Sequence, residues 1–371
     1  MTKSINLDFH ADRWQATRDN YRAWWAGELD RPLIHLTLPG RDPGRPEPAL
    51  PSLGFTSFYD MSVSAPEIAG RWLYDLQCRH FLGDAFPHVW PNFGAGVLAA
   101  FMGLELQNAN DTVWFHQPDV IELPDLELRF DPDNLWFRRV CDIYSAAAER
   151  FEGLVHLAMT DLGGALDVVQ SFRPGEALAL DLIDVPEAVE RASRLVHDAW
   201  WQCFNELDRI IQPAHPGYTS WTPIYSESPS YMLQCDFSYM ISTEMFEQFT
   251  KPELVASCKK LTNPFYHLDG VPQLNHLDSL LEIPELKGVQ WVPGAGQPGV
   301  SEWPEVYRKI RDAGKLIQFF TGQDPLGWRA LEVIANHLGS AQGIIMIGDA
   351  PAEDEPEIRE LFRRYGVDAG C

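Results

Sequence analysis

Four short apolar runs, NPFYHLDG (263–270), GVQWVPG (288–294), KLIQFFTG (315–322) and GIIMIGDAP (343–351), follow one another at intervals of about 25 residues. That interval leaves room for one loop, one helix and a return, which is the length a parallel βαβ crossover needs. Each run ends in polar or glycine-rich residues. Earlier runs of the same kind are RPLIHLTLP (31–39), GLVHLAMTD (153–161) and YTSWTPIY (218–225). The intervening segments carry helix signals. Ser64 and Glu67 have capping-box spacing at the start of one, and Asp184 and Glu187 repeat it before a long segment with Val189, Leu195, Val196, Ala199, Trp200, Cys203, Phe204, Leu207 and Ile211 at helical intervals. That stripe is a face for packing on a sheet.

Alternating strands and helices specify a parallel sheet, doubly wound or closed as an eight-stranded barrel. The stretch GAGQPG, Gly294 to Gly299, has the wrong spacing for a dinucleotide loop and runs into proline, so no nucleotide cofactor is expected. The expected fold is α/β, a (β/α)8 TIM barrel, with residues 1–371 as one domain. Residues 1–60 form an N-terminal extension with one strand and a Pro/Gly-rich surface loop, Leu38 to Gly54. At 371 residues and 45% hydrophobic the chain has enough apolar surface for such a core.

A net charge of −24 repels phosphate backbones and anionic lipid, which argues against a nucleic acid or a membrane as partner. No apolar stretch reaches the roughly 18 residues of a membrane span, and the charged start MTKSINLDFHADRW is not a signal peptide; a cytoplasmic protein is expected. The six cysteines are scattered without CxxC spacing, and most should be reduced.

In a barrel the chemistry sits where strands end. That places Asp161, Thr222, Tyr225, His267, Asp269, Trp291, Gln318 and Asp349 at the mouth. Residues two apart on a strand share a face, so His267 and Asp269 point together while Tyr266 and Leu268 face the helices. With Asp349 from a neighbouring strand end, the pair forms a candidate nitrogen and oxygen site for a divalent metal, zinc or a harder ion. The same carboxylates, Asp269 and Asp349, also suit metal-free acid/base cleavage of a sugar, and a core histidine beside a turn-capping aspartate is the plain structural alternative. The connection Pro223 to Ser242 is long enough for an active-site wall and offers Gln234 and Asp236 as binding residues. Of thirteen tryptophans, Trp90 (with Asn92), Trp114, Trp221 and Trp291 adjoin polar loop residues and suit stacking on a ligand; at least half of the thirteen belong to the core.

The run from YHLDG through LLEIPELKGVQWVPG, the stretches CDFSYMISTEMFEQFTKPEL and GGALDVVQSFRPGEALALDLIDVPEAVERASRLV, and the ending IIMIGDAPAEDEPEIRELFRRYG resemble the uroporphyrinogen decarboxylase and cobalamin-dependent methyltransferase superfamily. The resemblance spans most of the chain after about Asp60. It implies a barrel with extra N-terminal helices, a small polar substrate, methyl or other one-carbon transfer with a metal as Lewis acid, and a corrinoid protein as partner; it leaves room for a homodimer. In the thiol-activating members a His-x-Cys pair and a later Cys hold zinc. Here those positions are His267, Asp269 and Asp349, so both thiolates are replaced by oxygen, and the site is harder. Cys371 does not fit the later position. The decarboxylase branch's arginine-rich motif has no counterpart after RPLIHLTLPG, which argues against a polycarboxylate macrocycle; that branch's early acidic residue corresponds to Asp84.

Overall fold

The computed structural model describes residues 5–117 and 121–368. The strands among them are β1 (Leu33–Pro39), β2 (Arg79–Gly83), β3 (His88–Val89), β4 (Glu105–Asn108), β5 (Val113–His116) and β6 (His156–Leu157). They continue with β7 (Ser230–Leu233), β8 (Asn263–Asp269), β9 (Gly288–Val292), β10 (Leu316–Phe320) and β11 (Ile344–Asp349). The main sheet has the order β2-β1-β11-β10-β9-β8-β7, parallel throughout except for the antiparallel β1–β2 pair. A second parallel pair, β3–β6, and an antiparallel hairpin, β4–β5, stand beside it. The result is a mixed α/β protein with a mainly parallel central sheet. The ladders alone neither close that sheet into a barrel nor forbid closure.

The last four strands coincide with the four apolar runs. Their continuous burial is the pattern of strands covered on both faces, such as the wholly apolar Ile344, Ile345, Met346 and Ile347. Register converts sequence into rows of side chains. His267 lies opposite Gln290, Gln290 opposite Gln318, and Gln318 opposite Ile345. One layer higher, His35 lies opposite Ile347 and Ile347 opposite Phe320, with Thr37 opposite Asp349 above them. Paired residues in a parallel sheet share a face, so each row projects to one side while Tyr266, Leu268 and Trp291 project to the other.

Two expectations change. SYML, inside the supposed loop 223–242, is strand β7; four residues buried on both sides show no alternation to detect. YTSWTPIY makes only an isolated bridge, Tyr218 to Ser226, because Pro223 lacks a ladder donor and Ser220 and Thr222 bond each other at 3.1 Å. The N-terminal extension carries a helix, Arg13–Trp25, whose Trp14, Tyr21 and Trp24 are buried in the core.

The Ser64–Glu67 capping box forms as expected at helix Ala65–Gln77. The Asp184 box does not. Asp184 ends helix Gly175–Asp184, and Pro186 starts the next helix, Pro186–Ala214, with the fixed φ and missing N–H that suit a first position. The buried stripe on that helix is the expected one except at Leu195, which is half-buried. No helix among the described residues is long and apolar enough to cross a membrane. Five cysteines are free, and Cys371 lies outside the described residues.

Asp84 holds the N-terminal region to the sheet. Its nearly inaccessible carboxylate accepts from Arg31 at 2.8 and 2.9 Å, from Asn20 Nδ2 at 2.9 Å and from the Ile34 amide at 2.9 Å. Removing one member of a buried ion pair strands the other. Asp84→Ala is therefore expected to lose about 3–5 kcal/mol in urea unfolding; a loss below 1 kcal/mol contradicts this anchoring role.

Candidate functional site

His267 sits on the inner row of β8, and its Nδ1 donates to Gln290 Oε1; Gln290 Nε2 in turn donates to Gln318 Oε1. This chain holds the imidazole by Nδ1 and leaves Nε2 on the far side of the ring. There it meets two carboxylates, with Asp269 Oδ2 at 3.7 Å. Asp236, on the loop after β7, completes a set whose donor atoms all lie within 4.8 Å of one another. An imidazole lone pair aimed at two carboxylates is repulsive unless a positive charge lies between them. A proton on Nε2 satisfies that demand, and so does a metal ion. Donor atoms on one ion, at about 2.1 Å each, stand roughly 3–3.5 Å apart, so small side-chain adjustments suffice.

Asp236 is presented by Asp167. One Asp167 oxygen accepts from the Phe237 amide at 2.8 Å and the other from the Gly164 amide at 3.1 Å, tying the loop after β7 to the start of helix Ala165–Phe172. Acids accumulate here. Protein crowding around Asp236, then the charge of Asp167, push its carboxyl up to about 7, although the side chain opens onto the cleft. Burial raises Asp161 to about 6 and also raises Asp167. Behind them Glu253 is pushed up to about 8 by burial, against one hydrogen bond from the Ala165 amide. For His267, burial acts downward but is outweighed by Asp269, Asp236 and Gln290, and the imidazolium is favoured. A cleft of about 380 Å³ opens beside the carboxylates, lined by Gln170, Tyr239, Met240 and Gln273.

Asp349 does not join this group. Its carboxylate accepts from Thr37 Oγ1 and from Arg79, which also donates to Thr37 Oγ1 at 2.9 Å. It lines a different cavity from Asp269, so the expected His267, Asp269 and Asp349 triad and the Asp269 and Asp349 acid/base pair are not assembled. Asp236 takes the third position.

The other expected residues divide. Trp221 stands edge-on to His267, with ring centres 5.1 Å apart, and Gln318 ends the amide chain. Asp161 is buried close enough for its charge to interact with that of His267. Gln234 is buried just before Asp236, its Oε1 without a partner among the described residues. Trp291 faces away, packing against Trp303 at 5.3 Å, because it is one residue out of phase with Gln290. Tyr225 belongs to an aromatic core with Trp14, Tyr21 and Phe86. Asn92 closes its own turn onto the Gly94 amide and holds the Gly54 carbonyl; Trp90, half-buried, follows β3. Trp114 is 59% exposed on the β4–β5 hairpin, and Asp84 is the structural anchor described above.

Sequence inspection missed Gln290, Asp167 and Arg79. A signal existed for Gln290, as an amide in the middle of an apolar strand. Another existed for Asp167, at capping distance after the Gly163–Gly164 pair. Arg79 carries none, since its partner Asp349 is 270 residues away.

No family model matches the chain, and no curated protein does. Among solved structures, a methyltransferase from Methanosarcina mazei has a similar fold, with TM-score 0.58 and 13% identity, over 91% of this chain and 94% of that one.

The raised carboxyls fix the sign of a pH effect. Glu253 ionises near 4.5 when unfolded but near 8 when folded, so as pH rises between those values the unfolded state gains and stability falls. The slope contributed by one such group is at most about 1.4 kcal/mol per pH unit. In metal-free protein, Glu253→Gln is expected to flatten the decline of urea stability between pH 5 and 8; an unchanged slope refutes the assignment.

Proposed function

We propose that this chain is a methyltransferase-like enzyme of (β/α)8-barrel form that acts on a small polar molecule with a divalent cation held by Asp236, His267 and Asp269. The fold likeness to a methyltransferase and the resemblance in sequence support methyl transfer. The observation that carries the cation is the fixed Nε2 of His267 facing two carboxylates, an arrangement that needs a positive charge at its centre.

The donor set fits such an ion. Two carboxylates and a neutral imidazole balance a charge of +2, and nitrogen with oxygen suits zinc or a harder metal better than a thiophilic one. Gln290 fixes the imidazole tautomer in the manner of outer partners of metal-bound histidines. When bound, the cation supplies Lewis acidity toward an oxygen or sulfur of the substrate. The chain's own residues orient and enclose. Asp167 holds the loop that carries Asp236, and the Trp221 ring forms one wall beside His267 and keeps water from that side. A corrinoid protein as methyl donor belongs to the same proposal and rests on the resemblance in sequence.

Metal analysis of protein purified without chelator tests the centre. Asp236→Asn is expected to abolish retained metal, Gln290→Leu to weaken affinity by about 10–100-fold, and Asp349→Asn to leave it unchanged. Loss of metal in the Asp349 variant alone restores the triad read from sequence and overturns this one. Because Asp236 must be ionised and His267 must give up its Nε2 proton to bind, affinity for zinc is expected to rise with pH through the neutral range. A titration of affinity against pH that is flat from 5 to 8 argues against Asp236 as a ligand.

A further inference from the structure

A second cavity, of about 370 Å³, opens beside Asp349 on the β1 and β11 side of the sheet. It falls within the usual size of small-molecule sites. Its walls are apolar and aromatic, chiefly Trp72, Leu76, Phe81, Phe320 and Ile347. Phe320 also stands 6.4 Å from Trp221, whose ring touches His267, so two side chains separate this cavity from the proposed cation centre.

The charges around it are already paired. Arg79 and Asp349 close on each other through Thr37, and Asp75 is held by the buried Arg71. A charged ligand has to break one of those pairs, whereas an uncharged one leaves both intact. The remaining polar groups are imidazoles and a hydroxyl. His35 is buried beside the Tyr21 hydroxyl, at 3.4 Å from Nδ1, and its ring centre lies 5.8 Å from that of His88. Burial keeps both rings neutral, with His88 lowered to about 4. Neutral imidazole gives and accepts hydrogen bonds, which matches a hydroxyl or an ether oxygen.

We infer that this cavity binds an uncharged, ring-bearing molecule with a hydroxyl or ether oxygen, its ring against Trp72 and Phe320 and its oxygen toward His35 and His88. A role for that molecule as a substrate rests on the proposed methyl-transfer function, while binding itself is measured separately.

Calorimetric titration with guaiacol, benzoate and benzylamine, which share one ring and differ in charge and polar group, tests it. Guaiacol is expected to bind at least fivefold more tightly than either ion. Leu76→Trp, which fills the cavity, and Trp72→Ala, which removes a wall, are each expected to weaken guaiacol by about tenfold or more. If Leu76→Trp does not fold, Trp72→Ala decides. Equal or tighter binding of benzoate or benzylamine, no guaiacol binding at millimolar concentration, or full affinity in the folded variants overturns the inference. Metal analysis of the wild-type protein beside the titration separates the two proposals. Guaiacol binding by wild-type protein that holds no metal keeps the cavity and rejects the cation, and retained metal without guaiacol binding does the reverse.

Discussion

Three polar side chains crossing β8, β9 and β10 in one row set the terms for everything at the site. A parallel sheet covered on both faces offers buried amides no water, so each has to find a partner in its own row or leave a hydrogen bond unmade, at a cost of about 1–3 kcal/mol. Gln290 meets that requirement in both directions, with its carbonyl toward His267 and its amide toward Gln318. The imidazole is thereby pinned at Nδ1 by the fold's own need for satisfaction. Whatever binds at Nε2 meets a donor whose orientation was settled by the sheet.

The same logic explains why the two cavities differ. On the β8 side acids gather around His267 with no lysine or arginine among the described residues that line the cleft, and burial and mutual repulsion show as carboxyls raised to about 6, 7 and 8. On the β1 side the single arginine at the lip is matched by Asp349. Net charge says little about either. The excess of −24 is spread over the whole chain, whereas function depends on whether a given carboxylate has a partner within about 4 Å.

Strand positions were legible wherever an apolar run was long enough to show its phase. β8 to β11 lie where expected, and the His267 and Asp269 pair follows from period-two geometry. β7 was hidden because four fully buried residues have no phase to read, and Trp291 was assigned to the wrong face although the same rule that places His267 inward turns it outward. The third member of the set was a harder problem. Asp236 and Asp349 were both visible as polar residues after apolar runs. Choosing between them required knowing that Arg79 and Thr37 had claimed Asp349, a contact set by tertiary packing across 270 and 312 residues.

That exchange has a structural consequence. A donor at position 349 would sit directly on the end of β11, held by ladder bonds to β1 and β10, whereas Asp236 opens a short 3-10 helix, Asp236–Met240, in the connection after β7. A loop donor ordinarily places its oxygen less firmly than a strand donor. Here Asp167 offsets the difference by accepting amides from both sides of the gap, one from the loop and one from the helix start. In the proposed cation centre, carboxylate oxygens from Asp269 and Asp236 beside the His267 nitrogen would make a harder donor set than thiolates. There the position of the Asp236 oxygen would depend on how Asp167 holds the Phe237 amide, while His267 and Asp269 are set by β8.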